Sequence, residues 1–278
     1  MPSNLLEVFT NCYGRYGVRA AIDLAPQAGI THLELAMKQH GGVLEIPEDV
    51  VASEKLGDEG IQNLKRELDA NGLTVISANG SDNLMDPDGF ARIAERMRLA
   101  ALIGAKFFVG LGGEPAEEDR KDFFDKMGAI GDVAASHGLT IALETHPGIT
   151  QNADAILDTM QALQHDAIRI NFDTGNILFY NEGADVYAHL EAVMDYVVHM
   201  HLKDSRGGYR DWYFTAMGDG GAVDFARIGE ITNNAGFFGP YSLEIEGIRG
   251  EPEPTLEQRH ERVVRSVEHL RSVGFLSN

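Results

Sequence analysis

A single (β/α)8 barrel is the fold class the sequence predicts, and three observations predict it: length, alternation and the number of apolar runs. The chain has 278 residues, 44% of them apolar, which is enough for one large core and usual for a barrel that counts as one domain. Short β-branched or apolar runs alternate with longer stretches whose apolar residues recur at three and four. Eight such runs occur. Alternation of this kind implies parallel strands joined by crossover helices, and closing eight of them into a barrel leaves no edge strand. No Pro/Ser-rich linker or low-complexity segment divides the chain, so one domain over residues 1–278 is expected.

Taken in order, the expected strands are residues 6–10, 32–35, 74–78, 106–110, 140–144, 168–173, 197–202 and 241–246. Between them, Leu64 and Leu68 line an early helix, and Asp86 with Pro87 opens the next. Phe123, Met127, Ile130 and Ala134 mark one face of another, which Gly138 ends as a C′ glycine, and Val263, Val267 and Leu270 line the last. Two stretches break the pattern. Residues 38–58 are irregular, and residues 206–221 form a long polar connection of the kind that covers a ligand in a barrel.

Composition excludes several function classes. With 43 acidic against 23 basic side chains the formal charge is −20, so most of the surface repels phosphate backbones and anionic lipid. The densest basic group is only Lys203, Arg206 and Arg210. Nucleic acid and membranes are therefore not expected partners; a small molecule is, with a homo-oligomer possible. Cys12 is the only cysteine, which forbids an intrachain disulfide and fits a reducing compartment. Residues 1–9 have neither a basic n-region nor an apolar h-region, and no 18-residue apolar run exists. A cytoplasmic location is the expectation.

In a parallel barrel the active site lies at the carboxyl ends of the strands. The second half of the chain closes its strands with metal-ligand side chains: Glu144 before Thr145, His146 and Pro147; Asp173 before Thr174, Gly175 and Asn176; His201 within His199-Met-His-Leu-Lys-Asp204; and Glu244 before Ile245, Glu246 and Gly247. Asp173 follows Glu144 by 29 residues, His201 follows Asp173 by 28, and Glu244 follows His201 by 43, so each step is one βα unit, the last with the long loop added. Three carboxylates and one imidazole suit one divalent cation, Mn²⁺ above all, with Mg²⁺, Co²⁺ and Zn²⁺ as alternatives. Two open octahedral positions would take a substrate carbonyl and a neighbouring hydroxyl, polarising the carbonyl and stabilising an enediolate. Glu144 and Glu244 would flank the substrate as the proton-transfer pair. Period two leaves His199 as an alternative to His201, and Glu246 as an alternative to Glu244. Asp173-Thr-Gly-Asn also reads as a plain turn.

At these residues the chain resembles the xylose isomerase-like barrel superfamily, the sugar phosphate isomerases and epimerases, which includes ketose 3-epimerases, inosose isomerases and dehydratases, and hydroxypyruvate isomerases. The resemblance runs most strongly from Leu143 to Gly247, through Leu-Glu-Thr-His, Asp-Thr-Gly-Asn, His-Met-His-Leu-Lys-Asp, Gly218-Asp-Gly-Gly221 with Asp224-Phe225, and Leu-Glu-Ile-Glu-Gly. It implies that Glu144, Asp173, His201 and Glu244 hold one Mn²⁺-type ion and that the two glutamates move the proton. Epimerases of free ketoses usually carry a His where this chain has Asn176, which leaves the substrate open.

For substrate contacts the sequence offers His146, two residues beyond Glu144; Asn176; Asp204 and Arg206 after the seventh strand; Trp212, the only tryptophan; and Glu34 and Asn79 at the ends of strands two and three. Gly218–Gly221 lacks the Lys-Ser/Thr of a P-loop and reads as a turn before a helix at Asp224. The function expected is a metal-dependent isomerase or epimerase of a small sugar, ketose or inosose. The alternative is a lyase or dehydratase using the same site on a keto-sugar or inosose. Two further rivals are weaker. The apurinic endonuclease branch resembles the chain at His201-Leu-Lys-Asp-Ser205, but it needs more histidines than Ala78-Asn79-Gly80 and Val109-Gly110-Leu111 supply, and Tyr213 follows Asp211-Trp212. A non-catalytic sugar-binding barrel would have no use for a proton-transfer pair.

Overall fold

The computed structural model describes residues 4–37 and 52–277. Eight parallel strands close a barrel: β1 (Leu6–Phe9), β2 (His32–Ala36), β3 (Thr74–Asn79), β4 (Phe107–Gly110), β5 (Thr140–Glu144), β6 (Ile168–Asp173), β7 (Val197–Leu202) and β9 (Tyr241–Leu243). Closure is the pairing of β1 with both β2 and β9. The eighth barrel strand ends at Leu243, earlier than the expected 246, because the chain then turns to pair Gly247 and Ile248 (β10) antiparallel with Phe214 and Tyr213 (β8). That ribbon ties the long loop after β7 to the segment after β9.

The helices α1 (Gly17–Leu24), α2 (Gly57–Ala70), α3 (Gly89–Ile103), α4 (Arg120–Ser136), α5 (Ala153–Leu163), α6 (Thr174–Tyr180), α7 (Val186–Val193) and α8 (Phe225–Asn234) lie between the strands in sequence, and α9 (Leu256–Ser272) follows the last of them. Their apolar faces and the outward strand residues make the main core: Phe123, Met127, Ile130 and Ala134 of α4 are all buried, as are Leu33, Leu35, Ile141, Leu143, Ile170 and Phe172. Gly138, with φ +71°, reverses the chain after α4 where a side chain would be strained. The α3 start differs from expectation. Asp86 and Pro87 belong to a turn in which Asp86 N–H donates to the Asn83 carbonyl and Gly89 N–H to the Asp86 carbonyl, and the helix begins at Gly89. A Cβ there would meet the Asn83 carbonyl oxygen at 1.9 Å, so the turn and a glycine helix start require each other. Asp224 caps α8, with its side chain accepting from the Arg227 N–H. Of the irregular stretch 38–58, residues 38–51 lie outside the described residues, and α2 opens at Gly57. No helix among the described residues is long and apolar enough to cross a membrane.

The barrel interior is unusual for its polarity. Glu7, Glu34, Ser77, Asn171, His199 and His201 are each fully buried, where layers of branched apolar side chains are the norm. Buried polar groups are tolerated only when paired. The pairing exists: His199 Nε2 lies 2.7 Å from Glu7 Oε1 and 3.1 Å from Ser77 Oγ, and its Nδ1 lies 2.9 Å from Asn171 Oδ1.

Candidate metal centre and substrate cavity

Each strand end in the second half delivers one ligand-type group to the same place. Strand register sets the level, since Asp173 is paired with His201, His201 with Ser242, and Glu144 with Asn171. Glu144, Asp173, His201 and Glu244 are all buried and each offers one ligand atom within 4.8 Å of the others. His201 Nδ1 stands at the centre, 3.0 Å from Glu244 Oε2, 3.4 Å from Glu144 Oε1 and 3.7 Å from Asp173 Oδ2.

Local structure orients each carboxylate. Asp173 is the N-cap of α6 rather than part of a plain turn: its Oδ1 accepts from the N–H groups of Gly175 and Asn176 at 2.8 and 2.9 Å, which turns Oδ2 inward. Glu244 Oε1 accepts from Asn11 Nδ2 at 3.1 Å, which turns its Oε2 inward too. His201 Nε2 is 2.8 Å from Glu34 Oε2, so the ring presents Nδ1 to the cluster. Both alternatives left open by period two lie elsewhere. His199 points into the barrel one level lower, and Glu246 reaches Lys203 from the rim.

The donor set fits a divalent cation on its own chemistry. Asp173 Oδ2, His201 Nδ1 and Glu244 Oε2 are buried and accept no well-formed hydrogen bond, although Lys203 Nζ stands 3.2 Å from the first and 2.8 Å from the last as an ion-pair partner. Burial pushes Glu144 and Glu244 up, but the charges beside them win. His146 and His201 hold Glu144 down at about 2, and Lys203 with His201 holds Glu244 well below the usual carboxylate range. Both are thus anionic oxygen donors at neutral pH. Glu246 moves the other way, raised by burial, which its Lys203 partner offsets only in part.

A cavity of about 760 Å³ opens above this cluster. Glu144, Glu244 and Lys203 form its floor; Asn79, His146 and Asn176 stand along its side; and Phe9, Tyr180, Trp212 and Phe214 add an aromatic wall. His146 Nδ1 is 3.6 Å from Glu144 Oε1, and its ring leans on Tyr180 at 5.6 Å. Trp212 is held edge-on by Phe179 and Phe214, at 5.7 and 5.2 Å, and Arg249 N–H donates to its carbonyl. Ring faces of this kind suit the apolar face of a sugar.

Three residues expected to bind substrate are placed away from the cavity wall. Glu34 lies beneath His201, fully buried. Asp204 is also buried, its oxygens accepting from the N–H groups of Ser205, Gly218 and Val223, so it shapes the loop from inside. Burial raises it, and those three N–H groups offset the rise only in part. Arg206 forks onto Asp211 at 2.8 and 2.9 Å and stacks on Tyr213, out on the surface. Conversely, Asn11, Tyr180, Lys203 and Phe214 line the cavity, and none of them is a substrate contact that the sequence offers. Lys203 carried a readable signal, since it follows His201 by two on the same strand face. It is 2% exposed and ringed by Asp173, Glu244, Glu246 and Asn176, its Nζ 2.8 to 3.2 Å from each.

Residues 22–273 match the family described as xylose isomerase-like TIM barrel. The chain is 31% identical over 131 residues to an inosose dehydratase of Erwinia tasmaniensis, covering 41% of this chain and 43% of that enzyme. To the inosose dehydratase of Histophilus somni it is 25% identical over 251 residues, covering 77% and 82%. The chain spans about half the length of other curated relatives it matches, 56% for the inosose dehydratase of Glaesserella parasuis, at 26% identity over 57% of this chain. Among solved structures, a xylose isomerase domain protein from Planctomyces limnophilus superposes with TM-score 0.76 at 19% identity over 98% of both chains. An L-ribulose 3-epimerase gives 0.72 at 16%, covering 96% and 93%. A barrel protein from Mycobacterium smegmatis in complex with magnesium gives 0.73 at 18%, covering 98% and 99%. At these identities the structural matches establish the shared fold.

Proposed function

Because the chain belongs to the xylose isomerase-like TIM barrel family, we propose that it isomerises or epimerises a small sugar, ketose or inosose by moving a proton beside a carbonyl, with one divalent metal held by Glu144, Asp173, His201 and Glu244. The observation that carries this reading is the convergence of four buried ligand atoms within 4.8 Å, two of them, on Glu144 and Glu244, belonging to residues that line a cavity walled by aromatic and polar side chains. The cation, Mn²⁺ by preference and Mg²⁺ as in the Mycobacterium relative by second choice, supplies Lewis-acid polarisation of the carbonyl when bound.

The chain's own residues do the rest. Glu144 and Glu244 each bring a carboxylate oxygen close to His201 Nδ1, at 3.4 and 3.0 Å, and both line the cavity, so one takes the proton from the carbon beside the carbonyl and the other returns a proton. Asn11 holds Glu244 in place, and His146 stands beside Glu144 to exchange hydrogen bonds with substrate hydroxyls. Trp212 and Phe214 stack on the ring and keep water from that side.

A second reading shares the first step. The three relatives named above are inosose dehydratases, and in that outcome the carbon that lost its proton forms a double bond as a neighbouring hydroxyl leaves as water. One experiment separates the two. Protein loaded with Mn²⁺ is incubated in D2O with ketoses, inososes and 3-keto-sugars, then quenched, stripped of metal and analysed by proton NMR. Epimerisation gives deuterium at one carbon and a new stereoisomer, whereas dehydration gives an enone signal. Chelation should abolish either product and Mn²⁺ should restore it. Full turnover by verified metal-free protein would overturn the metal role.

A further inference from the structure

Below the four ligand-type groups lies a side chain that is not part of the lining of the substrate cavity and yet stands against the only imidazole among them. Glu34 comes from β2, separated from β7 by β1 and β9, and its Oε2 meets His201 Nε2 at 2.8 Å with both residues fully buried. A carboxylate so placed accepts from Nε2–H, so that the neutral ring, the form that meets a cation, keeps its lone pair on Nδ1, the atom facing Glu144, Asp173 and Glu244. Phe9 stacks on the same ring at 5.6 Å and 20°, fixing its plane, so Glu34 has only rotation and tautomer left to decide. The rest of the interior is arranged around this pair. His199, 3.9 Å from Glu34 Oε2, is engaged by Glu7, Ser77 and Asn171 and offers Glu34 no competing short bond.

We propose that Glu34 is a positioning residue: it holds His201 in the Nε2–H tautomer, so that a divalent cation meets a bare Nδ1. This rests on the metal site proposed above. Carboxylates behind a ligating imidazole typically account for 10- to 100-fold in metal affinity. Burying a carboxylate in a barrel core is costly, which argues against Glu34 as mere filler where an apolar residue would pack.

The test is Co²⁺ and Zn²⁺ affinity by competition with a chelator, measured on the wild type, Glu34→Gln and Glu34→Leu, together with long-range nitrogen–proton NMR of the neutral histidine rings in the metal-free protein. Glu34→Leu should bind about 10- to 100-fold more weakly. In Glu34→Gln the amide can turn its NH2 toward Nε2, so affinity should fall by a smaller factor and part of the His201 signal of the metal-free protein should move to the Nδ1–H pattern. Affinities within twofold of wild type in both variants, with an unshifted His201 pattern, would overturn the proposal. If Glu34→Leu does not fold, Glu34→Gln decides by the same two readouts. A wild type that binds neither ion would instead sink the metal site itself, a result distinguishable from the failure of Glu34.

Discussion

The two halves of the barrel are built alike and equipped differently. Strands β5, β6 and β7 and the segment after β9 bring Glu144, Asp173, His201 and Glu244 together in one buried cluster, whereas β1 to β4 end in Phe9, Ala36, Asn79 and Gly110. The first half supplies what stands behind: Asn11 against Glu244, Glu34 against His201, and Glu7 and Ser77 against His199. A closed barrel makes this division possible, because each strand of one half faces the other across an interior only side chains wide. The difference teaches that ligand-type groups and the groups that aim them can be far apart in sequence, as with Asn11 and Glu244.

The sharpest way to break that comparison is at Glu144. Glu144→Gln keeps the shape of the side chain but removes its capacity to take a proton, and turnover in the D2O exchange assay should fall about 10²- to 10⁴-fold. Circular dichroism should remain that of the parent, since the group belongs to no part of the hydrophobic core. Undiminished exchange would move the proton transfer to another cavity group, with His146, 3.6 Å from Glu144, the first to examine. A smaller effect is expected from the supporting half. Asn11→Ala removes the donor to Glu244 Oε1, a hydrogen bond to a charged group worth about 1.5–3 kcal/mol, so kcat/KM should drop roughly tenfold or more. If Asn11→Ala equals Glu144→Gln in severity, the division between chemistry and support fails.

How much of this was legible beforehand follows from physics rather than luck. Apolar periodicity reports burial, so the eight strands and the helices packed outside them could be read, and strand ends carrying Glu, Asp, His and Glu at one-unit spacing stood out. What could not be read depends on where side chains turn after a strand. Asp204 and Arg206 follow His201 closely, but by Ser205 the chain has left the barrel, so Asp204 folds back onto Gly218 and Val223 while Arg206 points outward. Lys203 is named in the sequence only as part of a basic group, because lysines rarely lie buried, and the acceptors from two other segments make its burial tolerable. Glu34 was visible as a strand-end carboxylate, but its partner is 167 residues away, and no local pattern tells a cavity wall from the layer below it.

Arg206 offers the mildest test and the cleanest contrast. Its position three residues beyond Lys203 suggests a hand on the substrate, whereas its geometry gives both guanidinium contacts to Asp211 and its flat face to Tyr213, with about half of the side chain in water. Exposed ion pairs contribute about 0–1 kcal/mol, and surface substitutions usually stay within about 0.5 kcal/mol, which is roughly a factor of two. Arg206→Ala should therefore leave KM and turnover within about twofold of the parent and shift thermal stability only slightly. A KM raised tenfold with turnover unchanged would mean that the loop carrying Tyr213 and Arg206 swings over the cavity when substrate binds. The aromatic wall of Trp212 and Phe214 would then be one side of a closing surface rather than a fixed one, because the pairing of Tyr213 and Phe214 with Ile248 and Gly247 would have to shift with it.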